Sequence, residues 1–193
     1  MRVLYLGPTS RLVPFLAEHD EVRQETEPIN SDVAADFLVS YGYEHIIGRE
    51  VLEQFPRRAV NLHISYLPWN RGSHPNLWSF MDGTPKGVTL HYLDEGIDTG
   101  PIIVQRKMSF APTETLRTSY AKLKYAVEEL FIEHWGAIRA GTCNAQPQSG
   151  TGSYHTASEK RAIEHLLTAG WDTEVGTLMR SQPHPGSRAH SGS

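Results

Sequence analysis

Asn61 and His63 stand two apart in the run AVNLHI (residues 59–64), which is otherwise apolar. Side chains two apart on an extended strand point to the same face, so an amide and an imidazole can share one crevice. Burying both costs free energy unless they are partnered. They are therefore either satisfied structural groups at a strand end or groups that do chemistry. The chemistry that suits the pair is acyl transfer to an amine. Attack on a carbonyl puts negative charge on its oxygen, and the Asn61 amide can donate to it, a contribution of about 2.7–4 kcal/mol for measured donors. His63 can take the proton from the attacking amine or act as a charged donor beside Asn61. Asp98, in the Gly-bounded acidic loop DEGIDTG (residues 94–100), supplies the missing carboxylate. It can orient the imidazole, stabilise its charged form or hold a proton-carrying water, and its Thr-Gly neighbours equally suit a plain turn residue. No covalent nucleophile is indicated, because neither a G-x-S-x-G elbow nor a Cys-centred motif is present. His63, His74 and His91 lie 11 and 17 residues apart. Those spacings match no helical ligand pair, and no metal site is expected.

The elements that must position these groups read as follows. RVLYLG (residues 2–7) is a buried strand ended by Gly-Pro. A short helix follows, with Thr9 or Ser10 as N-cap and Leu12, Val13 and Leu16 facing inward. Further strands are expected over 21–26, from Asp36 to near Gly42, over 59–64, over 87–96 and over 100–110. Short helices are expected over 49–55 and 76–83. A long helix opens at Pro112 and Thr113 and closes at Gly141, with Leu116, Tyr120, Leu123, Val127, Leu130, Phe131 and Ile138 as its core stripe. Alternating strands and helices predict βαβ units and a parallel sheet. In such a sheet ligands bind beyond the carboxyl ends of the strands, where Tyr41–His45, Asn61–His63 and Asp94–Asp98 would converge. Residues 145–153 read as a linker. Residues 154–179 form a small appendage with one helix, capped by Ser158 and followed by Gly170, and 182–193 read as disordered.

The chain has 193 residues, enough for one domain with a sizeable core. It carries 18 Lys and Arg against 22 Asp and Glu, a net charge of −4, and its hydrophobic fraction is 39%. Neither nucleic acid nor an anionic membrane is the partner such a balance suggests. The single cysteine, Cys143, allows no internal disulfide and sits in no reactive context. There is no signal-peptide core and no apolar run of membrane-spanning length, which predicts a cytoplasmic protein. No Gly-rich phosphate or dinucleotide motif occurs.

NLHISYLPWNRGSHPNLWSF (residues 61–80) followed by GVTLHYLDEGIDTGPII (residues 87–103) strongly resembles the formyltransferases that use 10-formyltetrahydrofolate. The shared pattern is an Asn-x-His strand end, a Leu-Pro loop with Arg-Gly, a GVT-x-H strand and an Asp-x-Gly loop. It is specific over 36–104 and looser from Met1 to about Gly141. The resemblance implies an α/β, Rossmann-like fold with a mostly parallel sheet flanked by helices. It implies catalytic roles for Asn61, His63 and Asp98, and 10-formyltetrahydrofolate as co-substrate without a metal. Ser40, Glu44, His45, Ile46 and Ile47 match the family's pterin-binding segment, with Leu93, Asp94 and Glu95 on the opposing loop. His91 matches a supporting histidine.

Three departures shape the expectation. His63-Ile64-Ser65 replaces the usual His-Pro-Ser and looks like the branch that acts on sugar amines. The stretch before Asn61 is shorter than usual by about one βα unit, so the N-terminal half is a trimmed sheet. The residues after Gly141 are too few for a tRNA-binding domain, and a tRNA acceptor is not expected. The implied organisation is a catalytic domain over 1–144, a short extension over 145–181 and a tail over 182–193. The acceptor is expected to be a primary amine on a small molecule, first a nucleotide-linked amino sugar and second glycinamide ribonucleotide. A 10-formyltetrahydrofolate hydrolase and a non-catalytic folate-binding module are the remaining alternatives. Thr9, Ser10, Arg71 and Trp78 are candidate acceptor contacts, although Arg71 also suits a loop lock and Trp78 suits packing. The aromatic residues of the long helix allow a homodimer as readily as intrachain packing.

Overall fold

The computed structural model describes residues 1–180; the tail expected to be disordered lies outside the described residues. The elements are β1 (Arg2–Leu6), α1 (Leu12–Ala17), β2 (Glu21–Glu25), β3 (Phe37–Tyr41), α2 (Arg49–Leu52), β4 (Ala59–His63), β5 (Arg71–Gly72), α3 (Pro75–Met81), β6 (Lys86–Tyr92), β7 (Ile102–Met108) and α4 (Leu116–Arg139). The extension adds β8 (Tyr154–His155), α5 (Lys160–Ile163), two short 3-10 turns and α6 (Val175–Arg180). No helix among the described residues is long and apolar enough to cross a membrane.

Six strands form one sheet in the order β2-β1-β3-β4-β6-β7. The pairings from β2 to β4 are parallel, as alternating strands and helices predict. The last two are antiparallel, which corrects the expectation for this end of the sheet. For β6 and β7 the physical reason is connection length: the loop from Leu93 to Pro101 is too short for the helical crossover that a parallel pair requires. In the antiparallel β4–β6 pair Tyr92, the last residue of β6, lies opposite Val60 near the start of β4. The Asp94–Asp98 loop therefore does not extend from the carboxyl end of a parallel strand.

The two sheet faces differ in chemistry. On one, Val3, Tyr5, Phe37, Val39, Val60, Leu62, Val88 and Leu90 pack beneath α4 and α1. On the other, Leu4, Leu6, Leu38 and Ala59 pack with Val51 of α2 and Phe55. Period-2 alternation puts Ser40, Asn61, His63, Thr89 and His91 on this second face, and register sets Asn61 beside Ser40 and opposite His91. Apolar packing thus gives way to a polar patch along one face.

Helix boundaries depart from expectation: α2 and α3 stop at Leu52 and Met81, short of residues 55 and 83, and three further departures concern caps and helix number. α1 has Arg11 at its cap position, in helical geometry; Ser10 contributes only a hydroxyl that accepts the Leu12 N–H at 3.2 Å. α4 begins at Leu116 rather than near Pro112, because Thr115 and Thr118 form a reciprocal capping box there. Its expected core stripe is buried apart from Tyr120, which stays partly at the surface. The extension holds two helices where one was expected, and Glu159 rather than Ser158 precedes the first. Val175 and Leu178 of α6 close a second small core with Leu77, Phe80 and Leu116.

Candidate active site

β4 presents Asn61 and His63 on the polar face, β6 presents His91 opposite Asn61, and the β6–β7 loop folds back to bring Asp98 over them. The Asn61 amide donates to Asp98 Oδ1 at 3.0 Å and lies 3.2 Å from His91 Nε2. His91 Nδ1 is 2.8 Å from the Tyr92 carbonyl. A carbonyl only accepts, so Nδ1 carries a proton, and Nε2 faces both the Asn61 amide and Asp98 Oδ1, the latter at 3.5 Å. By the same reasoning His63 Nε2, 3.0 Å from the Asn70 carbonyl, carries a proton. Its other nitrogen, Nδ1, faces Asp98 Oδ1 at 3.5 Å, so a proton arriving there meets a carboxylate.

Asp98 is the hub. Its second oxygen accepts the Gly72 N–H at 2.8 Å. Burial alone would raise its pKa, but His63, His91 and the Gly72 N–H outweigh burial and hold the carboxyl well below the usual range. Its backbone adopts a left-handed φ of 55°. Gln148 supports that conformation, with Nε2 donating to the carbonyls of Asp98 at 2.7 Å and Gly100 at 2.9 Å. Gly100 itself is obligatory: a Cβ there would sit 1.8 Å from the Tyr92 carbonyl oxygen.

Sequence reasoning missed three contributors. Gln148 lies in what reads as a linker and acts on backbone carbonyls, which leave no pattern in side chains. Gly72 contributes only a backbone N–H. Asn70 aims its carbonyl at His63 from a left-handed φ of 56°. It is held by Nδ2 donating to Thr84 Oγ1 at 2.7 Å and by its N–H donating to Ser153 Oγ at 2.8 Å. The Asn-Arg-Gly sequence was the signal available, since Asn tolerates positive φ better than most residues.

The two segments expected to hold the folate lie against each other. Ile47 and Leu93 join the same apolar cluster as Val51 and Phe55, and Arg49 pairs with Glu95 across the gap at 3.1 Å. Ser40 is buried beside Asn61. Glu44, His45 and Ile46 are exposed, with His45 edge-on to Tyr43. Asp94 closes its own loop by accepting from Thr99 Oγ1 at 2.6 Å and the Gly96 N–H at 3.1 Å. Ile46 and Ile97, 86% and 45% exposed, stand one on each segment. They offer the apolar surface that a flat heteroaromatic group covers, so the residues fit the co-substrate.

The four expected acceptor contacts are not gathered in one place. Thr9 bonds Gln24, and Ser10 bonds the Tyr5 hydroxyl at 2.9 Å. Trp78 is buried and stacked flat on His155, at 4.0 Å and 5°. Arg71 has the most unspent capacity: Nη2 donates to the Thr151 carbonyl at 3.3 Å, and buried Nε has no partner.

This is the architecture of the sugar N-formyltransferases. The protein superposes with a TM-score of 0.90 on the formyltransferase PseJ from Anoxybacillus kamchatkensis, solved with UDP-4,6-dideoxy-4-formamido-L-AltNAc and tetrahydrofolate. Identity to it is 46%, covering 94% of this chain and 100% of that one. The Formyl transferase family model matches residues 10–134, and the chain belongs to that family. It is 32% identical over 130 residues to a dTDP-4-amino-4,6-dideoxyglucose formyltransferase of Mycobacterium bovis, covering 64% of this chain and 56% of the relative. It is 36% identical over 148 residues to a methionyl-tRNA formyltransferase of Myxococcus xanthus, covering 76% of this chain and 44% of the relative. The chain thus spans about half the length of these curated relatives.

Proposed function

We propose that this protein transfers a formyl group from 10-formyltetrahydrofolate to a primary amine of a nucleotide-linked amino sugar. The observation that carries the reading is the single Asp98 carboxylate, bonded to Asn61 and Gly72 and 3.5 Å from both imidazoles. The likeness to PseJ, solved with a UDP-linked formamido sugar and tetrahydrofolate, supports the choice of acceptor and co-substrate.

The co-substrate supplies the formyl group, and this chain supplies orientation, charge and proton handling. Asn61 releases its N–H from Asp98 and turns it to the formyl oxygen, where negative charge develops. His63 Nδ1 takes the proton that the attacking amine loses, and Asp98 balances the charge that appears on the ring. Returning that proton to the departing nitrogen leaves His63 as it began, so no covalent enzyme intermediate is needed. His91 keeps the Asn61 amide in plane, because its own ring is held by the Tyr92 carbonyl.

The test is a panel of UDP- and dTDP-linked amino sugars and glycinamide ribonucleotide, incubated with 10-formyltetrahydrofolate. Cofactor conversion and the mass of the acylated product are followed together. A formamide on a nucleotide sugar is expected, and Asn61→Ala should lower the rate by about 10²–10³-fold. Formate release at full rate without any amine would instead make the protein a hydrolase. Failure of every amine to be acylated would reject the proposal.

A further inference from the structure

The segment that reads as a linker ends at Ser153, and there it presses against the loop that follows His63. The Ser153 N–H donates to the Pro68 carbonyl at 3.1 Å, and the Ser153 carbonyl accepts the Arg71 N–H at 2.9 Å. Gly152 makes this approach possible. It has a left-handed φ of 61°, and a Cβ there would sit 2.1 Å from the Pro68 carbonyl oxygen. Backbone contacts alone thus fix where the Ser153 side chain stands.

The Ser153 hydroxyl is used twice, on a single residue. Its Oγ accepts the Asn70 N–H at 2.8 Å and donates to Asn70 Oδ1 at 3.3 Å. Asn70 is buried, and its carbonyl lies 3.0 Å from His63 Nε2. The extension, Asn70 and the imidazole therefore form one chain of hydrogen bonds. That chain bears on the position of a proton. A neutral imidazole has one N–H for its two nitrogens. Two acceptors compete for it here, the Asn70 carbonyl at Nε2 and Asp98 Oδ1, 3.5 Å from Nδ1. The charged ring serves both, and the neutral ring serves one. If Asp98 takes the N–H, Nδ1 has no lone pair left for the proton of an attacking amine. If the carbonyl takes it, Nδ1 is free to act as the base. A carboxylate is the stronger acceptor of the two, so the carbonyl keeps the proton only while it is held close to Nε2.

We infer that Ser153 is a positioning residue for the proton transfer: by holding the Asn70 carbonyl on Nε2, it keeps His63 in the tautomer whose Nδ1 can accept. This rests on the acyl-transfer reading above. It makes the C-terminal extension part of the machinery that prepares the base, acting through Asn70 alone.

Ser153→Ala removes both hydroxyl bonds and leaves the backbone bonds in place. Nitrogen NMR of the free protein, at a pH where the His63 ring is neutral, reads the tautomer, and the His63 signal is the one lost in His63→Gln. In the wild type Nε2 is expected to carry the proton. In Ser153→Ala part of the population should move to Nδ1–H, while Ser153→Thr, which keeps the hydroxyl, should match the wild type. With 10-formyltetrahydrofolate and a UDP-linked amino sugar, the kcat of Ser153→Ala should fall by about tenfold, the order expected for loss of two hydrogen bonds. Its KM for the folate and its affinity for folinic acid should stay unchanged. A wild-type tautomer in Ser153→Ala overturns the inference whatever the rate, and so does a shifted tautomer with an unaltered kcat. Loss of folinic acid binding in Ser153→Ala would show a structural role and overturn it as well. If the wild type acylates no amine, the proposed function falls, and the tautomer alone then decides the role of Ser153.

Discussion

At the scale of single residues, the site is organised around one carboxylate that accepts from an amide and a backbone N–H and faces two imidazoles. Asp98 ionises more readily in the folded protein than in the unfolded chain, because His63, His91 and Gly72 outweigh the cost of its burial. A depressed folded pKa contributes stability above the unfolded carboxylate value, about 3.9, and the contribution is lost as pH falls below it. The melting temperature of the wild type should therefore exceed that of Asp98→Asn at neutral pH, and the gap should close progressively below about pH 4. A gap that is constant across pH 3–7 would show that Asp98 does not carry its charge as described. The Asn61, His63 and Asp98 types and their order were legible in the sequence. Which ring nitrogen of His63 and of His91 carries a proton was not, because that depends on the Asn70 and Tyr92 carbonyls meeting the two rings.

At the scale of elements, the parallel half of the sheet was legible because strands and helices alternate there. The antiparallel half was obscured by the same expectation, although the short Leu93–Pro101 connection already excluded a crossover. The placement of Asp98 follows from that hairpin, and so does its need for outside support. Gln148 supplies it from the segment before β8, gripping the loop at two carbonyls. Gln148→Ala removes both bonds while leaving every expected catalytic side chain in place. Its kcat should fall by about tenfold, the order expected for loss of two hydrogen bonds, with the KM for the folate little changed. An unaltered kcat would mean that the loop holds its conformation unaided. This contact was illegible in the sequence, since a glutamine in a Gln-, Gly- and Ser-rich stretch carries no periodic signal.

At the scale of the whole molecule, the extension is built into the domain. β8 pairs with β5, placing Tyr154 and His155 beside Arg71 and Gly72. His155 stacks on Trp78 and bonds Asp82 at 2.7 Å. α6 buries Val175 and Leu178 against α3 and α4. Deleting everything after Ser153 should cost several kcal/mol, since burial of a Val or Leu side chain alone is worth about 1.5–3 kcal/mol. It should also lower transfer activity, through the loop that carries Gly72. A truncated protein with unchanged melting temperature and rate would separate the extension from the site. The composition of this segment suggested an appendage because its apolar residues are few and widely spaced; their partners lie far away, in α3 and at the start of α4.

The fold-back of the Asp98 loop also determines where the chain can lengthen. β6 and β7 are zipped together from Lys86 opposite Met108 to His91 opposite Ile102, and Asp98 must reach Asn61, Gly72 and His63 from the short span between them. One added residue after Gly96 would shift the carboxylate off all three, whereas an addition in the exposed stretch around Asn30–Asp32 displaces nothing on the polar face. Descendants of this chain are thus free to grow at the β2–β3 connection and nearly fixed in length between Leu93 and Pro101.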